Sequence, residues 1–283
     1  MTVGVSPNRR FRAPSFGTVV AISLFAILAL ISIFVPMLAN ETPGQIFLDR
    51  TLLKPAFMGG NWGHPLGTDD LGRDVLLQLA RALRISALVA AVSVLLAGLI
   101  GAALGLLSGY LGGWIDFVVS RITEAQLALP LLVIAMTLVI ALGPSLPTLV
   151  VAIAMNGWVP FARLMRAETL VLREREFVTL AQLAGVSHGR IILRHLVPNV
   201  IPSALVLATQ QMAVAVIEES SLSFLGLGVQ PPQTSLGLMV GQWRIHMQSD
   251  PWLPLAPVIA LAVLAFAVNL LGDAMRNRMG RRQ

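Results

Sequence analysis

Apolar residues along this chain come in long uncharged runs, separated by short segments dense in Gly, Pro and charge. No charged residue occurs from Ala13 to Asn40, from Ile85 to Leu107, from Ala125 to Ala162, from Val200 to Ile217, or from Trp252 to Leu271. A helix that crosses a bilayer takes about 20 mostly apolar residues. The first run holds one span, residues 19–39, centred on Val19 to Leu38. The third is too long for one helix. The cluster Gly143-Pro144-Ser145-Leu146-Pro147 divides it into two spans joined by a tight turn. Six spans result, and the predicted fold class is all-α, a polytopic membrane protein. The expected divisions are an N-terminal segment 1–18, the first span 19–39, a loop 40–84, a core 85–275 with five spans, and a basic tail 276–283. The core includes a charged loop, 163–198. There is no internal repeat.

Composition agrees with this pattern. Of the 283 residues, 56% are hydrophobic and 12% charged, and mean hydropathy is +0.79. Soluble domains carry about 25% charged residues, so this chain could not cover its apolar surface as a soluble enzyme. Disorder is excluded by the same numbers. There is no cysteine, hence no disulfide and no thiolate site. The net charge of +6 sits where membrane proteins gather Lys and Arg, on the cytoplasmic side. With the N-terminus inside, the inner segments hold Arg9, Arg10, Arg12, Arg121, the six arginines from Arg163 to Arg194, Arg276, Arg278, Arg281 and Arg282. The outer loops hold only Arg50, Lys54, Arg73, Arg81, Arg84 and Arg244. Both ends are therefore expected inside. The Arg9-Arg10 pair reads as a topology anchor rather than an export signal. No basic stripe is interleaved with aromatics, so nucleic acid is not an expected partner; membrane lipid is.

Candidate chemistry is sparse. No phosphate-binding G-x-x-x-x-G-K-[ST] loop, H-E-x-x-H or G-x-S-x-G is present. His64 and His246 fall in outer loops, either as a metal pair at a pore mouth or as ordinary surface histidines. Gly101, Gly105 and Gly109 lie four apart and allow close approach of another helix. Arg121 and Glu124 are spaced to pair. Pro130, Pro198 and Pro202 are expected to interrupt helices. Glu218 and Glu219 end the fifth span, and Glu219 reads either as an interfacial carboxylate or as a pore-lining group that meets a cationic amine or holds a gate.

The charged loop is more informative. Phe177, Leu180, Ala181 and Ala184 recur at i, i+3, i+4 and i+7, one apolar stripe on a helix outside the bilayer. Gly185 is a stop signal and Ser187 an N-cap for the next short helix. This helix–Gly–helix elbow either lies on its own protein or the membrane surface, or is a knob for a groove on a cytosolic partner.

The elbow resembles the Glu-Ala-Ala loop of ABC importer permeases, the integral-membrane subunits of binding-protein-dependent transporters. Ala181, Gly185 and Pro198 match that pattern in spacing; Thr179, Leu180 and Val197 depart from it. Three further segments resemble the "C" type subunit of the dipeptide/oligopeptide/nickel subfamily: His64 to Val75, Ser223 to Pro232, and Phe266 to Asp273. The resemblance runs from about residue 64 to 276.

It implies an ABC importer type I permease fold in the inner membrane. The chain would work beside a second homologous permease, two ATP-binding subunits or domains, and a periplasmic or lipid-anchored binding protein. ATP and Mg would sit on the partner subunits, with no cofactor, metal or catalytic residue in this chain. Glu176, Phe177, Thr179, Leu180, Ala181, Ala184, Gly185, Ser187 and Pro198 would couple it to the ATPase. Glu218, Glu219 and Ser221 would lie on the translocation path. Gly67, Thr68, Asp69, Gly72, Arg73 and Asp74 would form a periplasmic cap beside the binding-protein dock. Asp69, Asp70 and Asp74 either hold Arg73 or cap the helix leading into the second span. The solute is a short peptide or a related compound such as a nickel chelate, glutathione or an opine. The competing reading is a stand-alone carrier or channel with six spans, in which the elbow has no role.

Overall fold

The computed structural model describes residues 16–39 and 41–279. The expected anchors Arg9, Arg10 and Arg12, and the tail residues Arg281 and Arg282, lie outside the described residues. Ten α-helices follow in order: α1 (Phe16–Leu38), α2 (Val75–Leu111), α3 (Gly113–Leu127), α4 (Leu131–Leu142), α5 (Leu146–Arg173), α6 (Glu176–Leu183), α7 (His188–Ile191), α8 (Val197–Phe224), α9 (Leu236–Trp243) and α10 (Trp252–Met279). Among the described residues there is no strand, only an isolated bridge between Thr68 and Asp74. Four helices are long and apolar enough to cross a membrane, five if the α3–α4 pair is one broken span, and Ile22–Leu38 is a shorter apolar helix.

The centre of the bundle is α2 against α5. A Cβ on Gly101, Gly105 or Gly109 would lie 2.2, 2.3 or 2.8 Å from the carbonyl oxygens of Trp158, Ala162 and Arg166. Both series rise together, so the two helices run parallel and in backbone contact. Only glycine permits that approach. Ser93 extends the seam by donating to the Val150 carbonyl at 3.2 Å. Helices α8, α9 and α10 close the core with Val216, Leu222, Trp243 and Leu253, all buried.

Three boundaries differ from expectation. The second span begins ten residues early, at Val75, because Asp74 caps the helix: its carboxylate accepts from Leu77 N at 3.0 Å. The third is not one helix. Pro130 forces the chain out of the helical region, and α3 and α4 meet at a bend of 92°. The prolines at 198 and 202 interrupt nothing. His188 to Phe224 is one helical run of 37 residues, about 55 Å long. Pro198 lacks the N–H that would bond to the Arg194 carbonyl. A π-helical stretch, Ile192–Leu196, absorbs this, with Val197 N bonding to Ile192 O.

Candidate functional site

The elbow is built from the end of α5, α6 and the start of α7. Helix α6 stops in a Schellman motif: Gly185 N donates to Gln182 O at 2.9 Å and Val186 N to Ala181 O at 3.0 Å. The motif needs a left-handed residue, and Gly185 has φ +73°. Ser187 occupies the N-cap position of α7, but its side chain makes no capping bond. The helix it opens is the first turn of the long α7–α8 run rather than a separate short helix.

The predicted stripe splits into two faces. Val178 is fully buried and Ala181 half-buried, packed with Val186 against Leu106, Tyr110, Met165, Ile191 and Leu196. Phe177, Leu180 and Leu183 turn outward, the last two 65% and 80% exposed. Glu176, Thr179, Ala184, Ser187 and Pro198 are exposed as well. A leucine left in water forgoes about 1.5–3 kcal/mol of burial. Polar contacts pin the elbow to the end of α2. Tyr110 Oη lies 2.9 Å from His188 Nδ1 and accepts from Gln182 at 3.4 Å; Arg173 donates to the Gly109 carbonyl at 3.3 Å. Nearby, Arg166 grips Asp116 through two bonds of 2.5 and 2.6 Å, and Ser108 donates to the same carboxylate.

Glu218, Glu219 and Ser221 lie beyond the middle of the same long helix, and the structure does not bring them together. Glu219 is fully buried and accepts from Ser223 at 2.7 Å and Ser220 at 3.3 Å. Ser221 is exposed and donates to its own helix, to Ile217 O at 2.8 Å. Only Glu218 lines the cavity of about 220 Å³ between α2, α5 and α8. Its Oε1 accepts from Asn156 at 2.7 Å. Neither carboxylate ends the helix, which continues to Phe224.

The motif preceding α2 is a folded knot. Asp69, fully buried, accepts from Leu71 N at 3.0 Å, Arg73 N at 2.8 Å and Arg73 Nε at 2.7 Å. Thr68, also fully buried, accepts from Leu53 N at 2.9 Å and donates to Arg50 O at 2.5 Å. Gly67 and Gly72 have φ of +74° and +71°, and a Cβ on either would strike the carbonyl of Leu53 or Phe47. Asp74 caps α2 with one oxygen and meets His64 Nδ1 at 2.7 Å with the other. Thus Asp69 holds Arg73 while Asp74 caps the helix, two roles that the spacing left open between the three aspartates. His246 faces a different carboxylate, Asp70, at 4.0 Å. Among the described residues, no three His, Asp or Glu side chains gather as a metal site requires. Arg121 and Glu124 pair at 2.6 Å on an exposed face.

Sequence reading missed Asn156, Ser93 and Gln211 beside Glu218, and the Asp116–Arg166 pair. Asn156 had one readable signal: a polar residue inside an apolar run, four before Pro160.

Residues 101–283 match the family model described as the binding-protein-dependent transport system inner membrane component. Among similar chains, the oligopeptide transport system permease protein OppC of Escherichia coli (strain K12) is 37% identical over 96% of this chain and 87% of that one. The dipeptide transport system permease protein DppC of Haemophilus influenzae is 36% identical over 93% of this chain and 90% of its own length. The nickel transport system permease protein NikC of Escherichia coli (strain K12) is 34% identical over 92% of each. In structure, a chain of the MetNI methionine ABC transporter in an inward-facing crystal form shares the fold, with a TM-score of 0.57 at 17% identity over 69% of this chain and 93% of that chain. The curated relatives are matched along nearly their whole length, and the apolar helices suit a multi-pass protein of the inner membrane. This chain belongs to the family of binding-protein-dependent transport system inner membrane components.

Proposed function

We propose that this chain is one of two different permeases in an ABC importer for short peptides or a related small solute. Six spans with both ends in the cytoplasm are part of the proposal, as is α1 as the first span. One of two ATP-binding subunits docks on the elbow, and ATP and Mg belong to those subunits; this chain performs no catalysis. A binding protein delivers solute from the other side, near the knot at residues 67–74.

The observation that carries this reading is the outward apolar face of α6. A helix that merely rested on its own protein would turn Leu180 and Leu183 inward. Here the inward contacts are made by Val178 and Ala181, and the large side chains are left for a partner groove. The inner face joins the elbow to Ile191 and Leu196, and the same helix continues unbroken to Glu218 and Phe224. Displacing the elbow therefore displaces a rod that reaches the far part of the bundle. Closure of the ATPases drives transport only by binding one position of that rod more tightly than the other. A stand-alone carrier would leave the exposed face without a purpose.

The test is Gly185→Arg in the complete importer. No atom lies within 4 Å of a Cβ at Gly185, so the substitution meets empty space and a modest left-handed strain of about 1–2 kcal/mol. Insertion into the membrane is expected to survive, while stimulated ATP hydrolysis and uptake are lost. Undiminished uptake would refute the docking role.

A further inference from the structure

Glu218 stands apart from every other acidic group described on the long helix. Its carboxylate lines a partly open cavity between α2, α5, α8 and the end of α3, and no Lys, Arg or His lines that space with it. A carboxylate at membrane depth normally finds a cation or a network of donors. Glu218 has a single amide donor, Asn156 Nδ2, on one oxygen. Its neighbour Glu219 shows the alternative, with two hydroxyl donors in a closed interior.

Several of the remaining polar groups around Glu218 offer acceptor oxygens. Pro160 is four residues after Asn156 on α5 and has no N–H, so the Asn156 carbonyl lacks the donor that an uninterrupted helix supplies. Both residues line the cavity. Ser93 spends its hydroxyl proton on the Val150 carbonyl and keeps its lone pairs. Gln211 is two turns before Glu218 and adds an amide on the same cavity wall. The cavity of about 220 Å³ has room for several waters at about 30 Å³ each, or for a small charged group with some water retained. A lone carboxylate with uncharged oxygens is too poor a ligand set for a divalent metal. It suits a group with one positive charge and three N–H donors.

We propose that Glu218, the Asn156 carbonyl freed by Pro160, and Ser93 form a subsite for a primary ammonium group of the solute in transit. This rests on the importer reading, and it names a cationic amine as the feature recognised inside the membrane. Glu218 is the specificity-determining residue. Asn156 fixes its rotamer through the 2.7 Å bond and offers its carbonyl to the ammonium.

The test uses the complete importer in detergent. A hydrophobic carbodiimide modifies carboxyl groups within membrane proteins, and mass spectrometry reads the loss of the unmodified Glu218 peptide, so that the N-acylurea and any methylamide formed when methylamine captures the activated carboxyl both count as modification. Methylammonium, the probe, is expected to slow modification of Glu218 about tenfold at about ten times its dissociation constant, as occupancy of the site dictates. Acetamide, neutral and of similar size, is expected to have no effect. Protection is expected to weaken in Pro160→Ala, which restores a donor to the Asn156 carbonyl. Equal modification with and without methylammonium overturns the subsite, as does equal protection by acetamide. A Glu218 inert to the reagent also overturns it, since the cavity would then be closed to small solutes. In the reconstituted importer, Glu218→Gln is expected to lower uptake of amine-bearing solutes more than uptake of solutes without a free amine, and an equal loss of both would count against an ammonium subsite. Methylammonium protection without any ATP-dependent uptake would sink the importer reading and leave the cation site standing.

Discussion

The knot at residues 67–74 and the elbow at 176–187 are both short segments beside a long helix, and they are built in opposite ways. In the knot, polar groups point inward. Asp69 and Thr68 are fully buried, and their partners are neighbouring backbone groups and the Arg73 side chain. In the elbow, apolar groups point outward, with Leu180 and Leu183 mostly exposed and only Val178 and Ala181 holding the inner contact. One segment has satisfied itself. The other leaves large apolar side chains uncovered by the chain itself, as the proposed docking role requires. A sequence motif therefore does not announce a docking surface; the direction of its side chains does.

Four substitutions test that contrast. The largest effect is expected at Asp69→Ala. It strips three N–H groups of their acceptor and leaves Arg73 without its partner, a loss of about 3–5 kcal/mol. Proteolysis is then expected to cut within residues 41–74 while the elbow stays protected. Equal protection of both segments would show that the knot is not held by Asp69.

Next comes Leu183→Asp in the elbow. Thermal stability of the purified permease should change by less than about 0.5 kcal/mol, because the side chain contacts little. ATP-driven uptake should fall about a hundredfold, as befits a central apolar anchor lost from a groove. Normal uptake would return the elbow to the status of a surface helix. Asp74→Ala is smaller, about 1 kcal/mol from the lost cap of α2, visible as a lower melting temperature of the solubilised complex. Ser187→Ala should do almost nothing to stability, within about 0.5 kcal/mol, since the hydroxyl caps no N–H. A clear destabilisation there would mean that the capping bond forms in the working protein.

Much of the architecture was legible because it follows from local rules. The break at 143–147 is where the chain turns: α4 ends at Leu142, Gly143 has φ +80°, and Ser145 caps α5 by accepting from Thr148 N at 3.3 Å. The glycine triplet predicted close approach and found it against α5. Gly185 predicted the stop of α6. Less was legible where a break depends on what replaces the missing bond. Pro130 bends its span by 92°, whereas Pro198 is absorbed into a π-helical turn and Pro202 into an ordinary helix. The same residue type gave different outcomes because the surrounding helices, not the proline, decide whether a continuous rod packs.

An all-helical membrane protein, the polar knot, the glycine seam and the elbow could all be read from the residues alone, since each rests on spacing, charge or backbone permissiveness within a few residues. The tertiary structure alone decided which helix the glycines meet, which way α6 turns its leucines, and which glutamate faces a cavity. Glu218 and Glu219 are adjacent in sequence, yet about 100° of helical rotation separates their directions. That rotation puts one carboxylate beside Asn156 at a cavity and the other among serines in a closed interior, a distinction set only by where α2, α5 and α9 pack around α8.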